Sequence, residues 1–328
     1  MNKLTVSVSP HIKDSASTSA IMRDVLIALA PAMIAAVLIF GFRAAAVTAV
    51  CVVFAVGSEW VFDRIVKKPS TIGDLSAAVT GVLLAFNLPV GIPLWQAALG
   101  SMIAIIIVKQ LFGGLGQNFA NPAITARIIM LIAFSGTMTS WVIPAMPEAL
   151  SGLFGLGADG AAQGFSAATD VVSGATPLAV LKSGGQLPPL LNMFLGYRGG
   201  CLGETSALAL LLGGIYLLAR RVISWHTPVA FIGTVCLMTL LLGKQPEYQL
   251  LSGGLLLGAF FMATDYSTTP NTNWGRIVFG VGCGLITVLI RVWGSYPEGV
   301  SFSILLMNLF TPYISKFTAK KPLGGVKA

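Results

Sequence analysis

Charged residues are scarce in this sequence. Of its 328 residues only 10% are Asp, Glu, Lys or Arg, whereas 55% are hydrophobic. An ordinary soluble domain carries about 25% charged residues, because its surface has to be covered with groups that water solvates. A chain this poor in charge cannot provide such a surface. The composition therefore excludes a soluble globular domain and indicates a protein that is solvated by lipid.

Residues that bind metal ions and haem are also few. The four cysteines lie far apart with no CxxC pair, and the only histidines are His11 and His226. Iron–sulfur and zinc sites need several closely spaced ligands, and bis-histidine haem needs two imidazoles inside the membrane. The sequence therefore predicts no metal site within this chain, and any redox group is expected to be organic.

Two further classes of segment are missing. Residues 1–22 have neither the apolar core nor the small-residue cleavage site of a signal peptide, so we expect the first helix to act as an uncleaved anchor. The net charge is +8, yet the basic residues stand at the ends of apolar runs instead of forming a patch. That distribution is typical of membrane orientation and argues against nucleic acid binding.

Long apolar runs are what the sequence does contain, and they recur ten times at lengths that suit helices in lipid. They cover residues 23–42, 44–63, 75–88, 95–113, 120–142, 203–220, 226–243, 249–264, 274–293 and 299–316. The third run is short and breaks at Asn87 and Pro89, and the eighth breaks at Asp265 and Pro270. Broken helices are tolerated at membrane depth where they face protein or a cavity.

The two broken runs occupy the same place in each half of the chain. The stretches after them, GSMIAIIIVKQLFGG and GVGCGLITVLIRVWGS, share a Gly-rich apolar pattern that ends in a basic residue and a glycine. We therefore predict an all-α membrane protein with two five-helix repeats, residues 23–143 and 203–316. Because five is odd, the second repeat must be inverted, which is an arrangement of transporters and channels.

The basic residues predict the orientation. With the N-terminus in the cytoplasm, fifteen of the twenty Lys and Arg residues fall inside, Arg127 among them. The outer five are Arg43, Lys182, Arg198, Lys244 and Arg291. By the positive-inside rule both termini, including the basic tail 317–328, are expected in the cytoplasm. The long connection 144–202 is then expected in the periplasm.

One motif stands out in that connection: Asp170, followed by Ser173, Gly174, Ala175 and Thr176. Gly174 permits a tight backbone, and the proline after Thr176 favours an extended conformation, so we expect the Thr176 hydroxyl to be presented to solvent. The alternative is structural, with Thr176 as the N-cap of a helix and the proline as its first residue. Spacing alone favours this second interpretation.

A few ionisable residues fall within or beside the apolar runs. Such groups are functional by default in a membrane, which makes Glu59 and Asp265 candidates for an ion path. The alternatives are an interfacial charge cluster for Glu59 with Asp63, and a cap or a structural partner of Arg276 for Asp265. Lys109, near the end of its run, is expected to snorkel to the membrane surface.

The sequence resembles the D subunit of Rnf-type electron transport complexes and, more distantly, the B subunit of the sodium-pumping NADH:quinone reductase. The resemblance runs from SPHIKD and MRDVLIALAP through GQNFANPAITAR to SGATPL and MATDYSTTP, and so covers essentially the full length. The residues from Asp170 to Thr176 match the flavinylation motif D-x-x-[ST]-G-A-[ST] of membrane flavoproteins.

The resemblance implies a ten-helix subunit of the bacterial inner membrane, with a fold similar to that of urea channels and FMN attached through its phosphate to Thr176. A non-covalent riboflavin is implied for the broader family, and no motif places it here. The implied partners are the A, B, C, E and G subunits of a complex that moves Na⁺ or H⁺, with the G subunit carrying a periplasmic FMN. Ferredoxin and NAD belong to other subunits, and this chain has no GxGxxG fingerprint after a strand.

A second class of function shares much of this evidence. Composition, repeats and broken helices would suit a passive channel or carrier for a small polar solute equally well. A channel does not require the long loop with the motif from Asp170 to Thr176, and that loop favours the redox subunit. The lack of an NAD or iron–sulfur site predicts that the isolated chain has no turnover.

Overall fold

The computed structural model describes residues 17–144, 175–185, 187–294, 296 and 298–319. The regular structure within these ranges is helical, which confirms the predicted all-α class. In the first part of the chain the helices are α1 (Thr18–Phe40), α2 (Phe42–Val66), α3 (Ser76–Phe86), α4 (Leu94–Gln110), α5 (Pro122–Ala133) and α6 (Ser135–Met138). The later helices are α7 (Pro177–Ser183), α8 (Leu190–Leu195), α9 (Ala207–Ala219), α10 (His226–Leu241), α11 (Pro246–Leu251), α12 (Leu255–Leu257), α13 (Asn273–Trp293) and α14 (Val300–Thr318).

Three of these helices, α1, α2 and α13, are long and apolar enough to cross a membrane. Their outer faces carry large apolar side chains, such as Leu38 and Phe42, which are 81% and 85% exposed. In water such a surface would be costly, at roughly 25 cal/mol for each Å² of apolar area, whereas lipid solvates it. The structure therefore agrees with the prediction of a membrane protein.

Helix ends follow local sequence signals in some places and depart from the predicted bounds in others. Helix α3 ends before Asn87, where the break was expected. The run predicted over 120–142 is interrupted after Ala133, because Phe134 leaves the helical region with φ −129° and ψ 49°. The run predicted over 249–264 is divided between α11 and α12, and Ser252 between them has an extended backbone.

Two stretches adopt the wider π-helix. The second half of α4, Ile103–Gln110, is a π-helix, and so is the continuation of α12 over Gly258–Met262. A π-helix closes its hydrogen bonds over one more residue than an α-helix, and it is often found at functional sites. In α4 the π-helical stretch contains Lys109, a residue of the candidate site described below.

Helix packing joins the two halves of the chain at their first and at their last long helices. Helix α1 packs on α9, and α5 packs on α14. Within the halves, α2 packs on α4, and α10 packs on α13. The contact between α1 and α9 depends on Gly213, where an added Cβ would lie 2.1 Å from the carbonyl oxygen of Ala28. Small residues allow such close backbone approach between membrane helices.

Hydrogen bonds group the helix ends into two sets. At one end Ser19 of α1 donates to the carbonyl of Gly73, and Arg220 after α9 pairs with Asp24 at 3.2 Å. At the other end Arg43, at the start of α2, donates to the carbonyls of Val90 and Ile92, each at 3.1 Å. Arg220 and Arg43 were predicted on opposite sides of the membrane, and they lie in different sets.

Candidate functional site

Thr176 stands at the start of α7. Its backbone is extended, with φ −64° and ψ 154°, and its hydroxyl accepts a hydrogen bond from the amide of Ala179 at 3.3 Å. Pro177 follows as the first helical residue. Proline suits this position because its missing N–H would have no partner within the helix. The structural interpretation of the motif is therefore confirmed: Thr176 is the N-cap.

The expectation that the Thr176 hydroxyl faces solvent is wrong. The residue is only 4% exposed and its hydroxyl is bonded to the Ala179 amide of its own helix, whereas the preceding Ala175 is exposed. The other motif residues, Asp170, Ser173 and Gly174, lie outside the described part of the chain.

Helix α7 lies against the second half of the protein. Lys182 in its last turn donates to the carbonyl of Gly294, at the end of α13. Leu178 packs beside Gly253, where an added Cβ would be 2.9 Å from the leucine and 3.1 Å from a terminal nitrogen of Arg291. The Thr176 helix therefore rests on a layer that contains a buried arginine.

Below this layer is a buried network centred on Arg127 of α5. One terminal nitrogen of Arg127 lies 3.3 Å from a Glu204 carboxylate oxygen, and the other donates to Glu298. The guanidinium also donates to Asn87 at 3.1 Å and to Ser301 at 2.8 Å. One arginine thus joins groups from both halves of the chain.

Two backbone bonds hold the network's loop against the break after α3. The amide of Leu202 donates to the carbonyl of Leu88 at 3.0 Å, and that of Gly203 donates to Phe86 at 3.0 Å. An added Cβ at Gly203 would lie 2.2 Å from the Cβ of Phe86, so only glycine fits there. These contacts place Glu204 beside Arg127.

Three atoms in this network are of the kinds that bind metals. Cys201 Sγ and carboxylate oxygens of Glu204 and Glu298 lie within 4.8 Å of one another. The Arg127 guanidinium contacts all three residues, with its nitrogen 3.4 Å from Cys201 Sγ. Its single positive charge already lies beside the two carboxylates, and a metal ion would have to displace it.

The Arg127 network corrects the predicted orientation at one residue, since Arg127 was counted as cytoplasmic. The structure places it only 6% exposed against Glu204 and Glu298, beside segments that were predicted on the outer side. A charge that is neutralised inside the protein carries no information about orientation. The orientation of the chain stays a prediction that rests on the other basic residues.

A second buried cluster surrounds Glu59 of α2, which is fully buried. One of its carboxylate oxygens accepts from Lys109 at 2.8 Å, from Gln110 at 2.8 Å and from the Thr71 hydroxyl at 2.7 Å. Lys109 also donates to Ser76 at 2.6 Å. The second oxygen of Glu59 has no hydrogen-bond partner among the described residues.

Two expectations about this cluster need correction. Lys109 is 1% exposed and does not snorkel, because Glu59 compensates its charge inside the protein. Glu59 and Asp63 do lie close together, as the interpretation of an interfacial charge cluster required, but they are buried and not at the surface. Asp63 is 2% exposed and accepts from both the amide and the hydroxyl of Thr71 at 3.1 Å. Thr71 links the two carboxylates away from solvent.

Asp265 caps the turn after α12. It accepts from the hydroxyls of Ser267 and Thr268, each at 3.1 Å. The structural alternative for Asp265 is thus half right, since Arg276 donates to the carbonyl of Pro270 instead. Asp265 and Lys109 line the same cavity between the two halves, of about 750 Å³ including its open mouth. Glu59 itself does not line this cavity, so the structure brings Asp265 and only the Lys109 partner of Glu59 to it.

A match to the NQR2, RnfD, RnfE family covers residues 5–324. The chain belongs to this family. Its resemblance to the D subunits of Rnf-type complexes is thereby confirmed over nearly the whole length.

Individual relatives support the family assignment. The chain is 48% identical to the D subunit of the Na(+)-translocating ferredoxin:NAD(+) oxidoreductase complex of Acetobacterium woodii, over 99% of this chain and 96% of the relative. It is 42% identical to the D subunit of the proton-translocating ferredoxin:NAD(+) oxidoreductase complex of Clostridium ljungdahlii, over 98% and 97% of the two chains. The D subunit of an ion-translocating oxidoreductase complex of Stutzerimonas stutzeri is 41% identical, over 94% and 92%.

The family segment GQNFANPAITAR acquires a structural role. Asn121 is the N-cap of α5 and accepts from the amides of Ala123 and Ile124, while Pro122 is the first helical residue. Arg127, the last residue of the segment, is the centre of the buried network. Sequence reasoning missed this role, although an arginine within an apolar run was itself a signal.

Proposed function

We propose that this chain is a membrane subunit of an Rnf-type complex that couples electron transfer between ferredoxin and NAD, carried out in partner subunits, to the translocation of Na⁺ or H⁺. Its part is to relay electrons through FMN attached to Thr176. One combination carries this proposal: family membership over the full length, together with the residues from Asp170 to Thr176 in the pattern D-x-x-[ST]-G-A-[ST].

The residues at the start of α7 fit the chemistry of this attachment. Thr176 supplies a hydroxyl that can form a phosphoester, and its oxygen already lies at a helix start, where anionic groups are favoured. FMN, when bound, supplies the one- and two-electron chemistry. Because Thr176 is buried, access to its hydroxyl requires the chain around it to move aside.

The proposed topology is ten helices in two inverted repeats, with both termini in the cytoplasm and α7 on the periplasmic side of a bacterial inner membrane. The packing of α1 on α9 and of α5 on α14 supports this, because a two-fold axis would pair the first helices and the last helices of the repeats. Partners on the outer side, including the flavin-carrying G subunit, are then the nearest to Thr176.

The proposed ion path passes Glu59 and Asp265. Lys109, which is bonded to Glu59, lines the same cavity as Asp265, and ionisable groups in membrane segments commonly mark such paths. The second flavin of the broader family, a non-covalent riboflavin, stays without a placement.

The test uses the full-length chain co-expressed with the flavin transferase. The protein is denatured, separated on a gel and viewed under ultraviolet light, with a known flavinylated protein beside it. We expect a fluorescent band for the wild type and for Thr176→Ser, which keeps a hydroxyl, and none for Thr176→Ala.

Thr272→Ala is the matched control, because Thr272 is also a helix N-cap, accepting from the Gly275 amide at 3.0 Å, but lies outside the motif. It should keep the fluorescence. A dark wild-type band beside a bright standard would refute the covalent FMN, and a passive channel through the cavity between the halves would become the better proposal.

A further inference from the structure

A polar cavity opens beside the ends of α9, α10 and α13, separate from Thr176 and from the Arg127 network. It measures about 760 Å³ including its mouth. Its lining includes two arginines and five hydroxyl side chains. They are Arg221, Arg276, Ser224, Thr227, Thr264, Tyr266 and Thr269.

The charge in this cavity has one sign. Neither Arg221 nor Arg276 forms an ion pair with a described residue, and no acidic side chain of the described chain lines the cavity. Arg276 uses one nitrogen to donate to the carbonyl of Pro270 at 3.2 Å, and its two terminal nitrogens make no hydrogen bond to described residues. Two guanidinium groups therefore share a cavity in which the described residues provide no anion.

Hydroxyl donors complete the lining. Thr227 is only 2% exposed, and its hydroxyl makes no hydrogen bond to a described residue. It stands in the first turn of α10, a sixteen-residue helix whose N-cap, Trp225, provides no side-chain bond to the free amides. Guanidinium groups, hydroxyls and uncapped amides are the groups that bind phosphate oxygens.

The surroundings of the cavity suit a lipid headgroup. Trp225 and Trp274, at the starts of α10 and α13, are 58% and 73% exposed. Tryptophan prefers the level of the headgroups, and basic pockets between membrane helices bind anionic lipids there. A free phosphate ion has the same oxygen chemistry but no acyl chains that would reach the apolar helix surfaces nearby.

We propose that this cavity binds the phosphate group of an anionic phospholipid, a chemistry it shares with free phosphate. Arg221 and Arg276 pair with the phosphate oxygens, and the hydroxyls of Thr227 and Ser224 donate to them. The positive-inside distribution accounts for basic residues on this side of the membrane. It does not account for their shared cavity, or for a Thr227 hydroxyl that is bonded to no described residue.

The backbone at Arg221 permits a sharp test. Arg221 follows the last turn of α9 with φ 57°, and the amide of Val222 donates to the carbonyl of Leu217 at 3.0 Å. This is the helix ending at which glycine is favoured. Arg221→Gly is therefore expected to fold at least as well as the wild type while losing one of the two charges.

Lys67 offers a matched control. It ends α2 with φ 58°, and it is an exposed basic residue predicted on the same side, but it does not line the cavity. Lys67→Gly thus removes one positive charge from the same backbone conformation. Arg276→Gln provides a second loss within the cavity, and Thr227→Val removes the buried hydroxyl at nearly constant volume.

The measurement is native mass spectrometry of the full-length protein in detergent. One sample is titrated with phosphatidylglycerol and a second with diacylglycerol. In a third, inorganic phosphate is added as a competitor of bound phosphatidylglycerol. We expect phosphatidylglycerol to bind about tenfold more weakly to Arg221→Gly and Arg276→Gln, the loss typical of one charge-assisted contact. Lys67→Gly should match the wild type, and Thr227→Val should show a smaller loss.

Each outcome decides something. If inorganic phosphate displaces the lipid at comparable concentrations, the site is one for free phosphate, and its oxygen chemistry stands while the lipid source is overturned. Equal binding of diacylglycerol, or equal losses in Arg221→Gly and Lys67→Gly, would overturn the proposal, because adhesion of the acyl chains or general surface charge would then explain the binding. Absence of any binding overturns it as well.

Discussion

The two buried charge clusters differ in where their partners come from. Glu59 is satisfied by Lys109, Gln110 and Thr71, which lie in the same half of the chain. Arg127 reaches Glu204 and Glu298, which follow it by 77 and 171 residues. The first cluster can form within one half, whereas the second forms only when both halves have come together. A substitution that breaks the second cluster should therefore lower the stability of the assembled fold more than one that breaks the first.

The largest effect is expected from Arg127→Gln. Without the guanidinium, two carboxylates remain buried beside each other, and breaking a buried ion pair typically costs about 3–5 kcal/mol. Thermal unfolding of the full-length protein in detergent should show the loss. The triple variant Arg127→Met, Glu204→Gln, Glu298→Gln should recover most of it. A stability of Arg127→Gln within about 1 kcal/mol of the wild type would show that the network does not hold the halves together.

A smaller effect is expected from Lys109→Met. Glu59 then loses its cation but keeps the hydrogen bonds from Gln110 and Thr71, so the cost should lie at the low end of the range for a broken buried ion pair, about 3 kcal/mol. Adding Glu59→Gln should restore much of it, and the double-mutant cycle measures the coupling. If Lys109→Met proved more damaging than Arg127→Gln, the contrast between the clusters would be reversed.

The smallest effect is expected at an uncharged contact between the halves, the close packing of α9 on α1. Gly213→Ala places a methyl group 2.1 Å from the Ala28 carbonyl oxygen, and such overpacking costs about 1–3 kcal/mol. Gly233→Ala in α10 is the control, because nothing lies within 4 Å of its Cβ and alanine is the better helix former. The same thermal unfolding measurement should show a loss for the first and none for the second.

Local sequence signals predicted local structure well. The break at Asn87, the cap at Thr176 with Pro177 after it, and the helix over 273–293 all follow from residues within a turn of the feature. Contacts between residues remote in sequence left no comparable trace. Arg127 was interpreted as an orientation marker because the residues that neutralise it are remote in sequence, and Lys109 was expected at the surface because Glu59 lies 50 residues before it.

The π-helix in α4 has a consequence for the length of that helix. Neighbouring side chains on an α-helix diverge, yet Lys109 and Gln110 both reach one oxygen of Glu59 at 2.8 Å. The π-helical stretch Ile103–Gln110 holds one residue more than an α-helix of the same number of turns would. This extra residue rotates the end of the helix about its axis. Deleting exposed Ile107 would let the stretch close into a regular α-helix. A deletion is ordinarily among the harshest changes in a helix. Here it would spare the helix and separate Lys109 and Gln110 from Glu59.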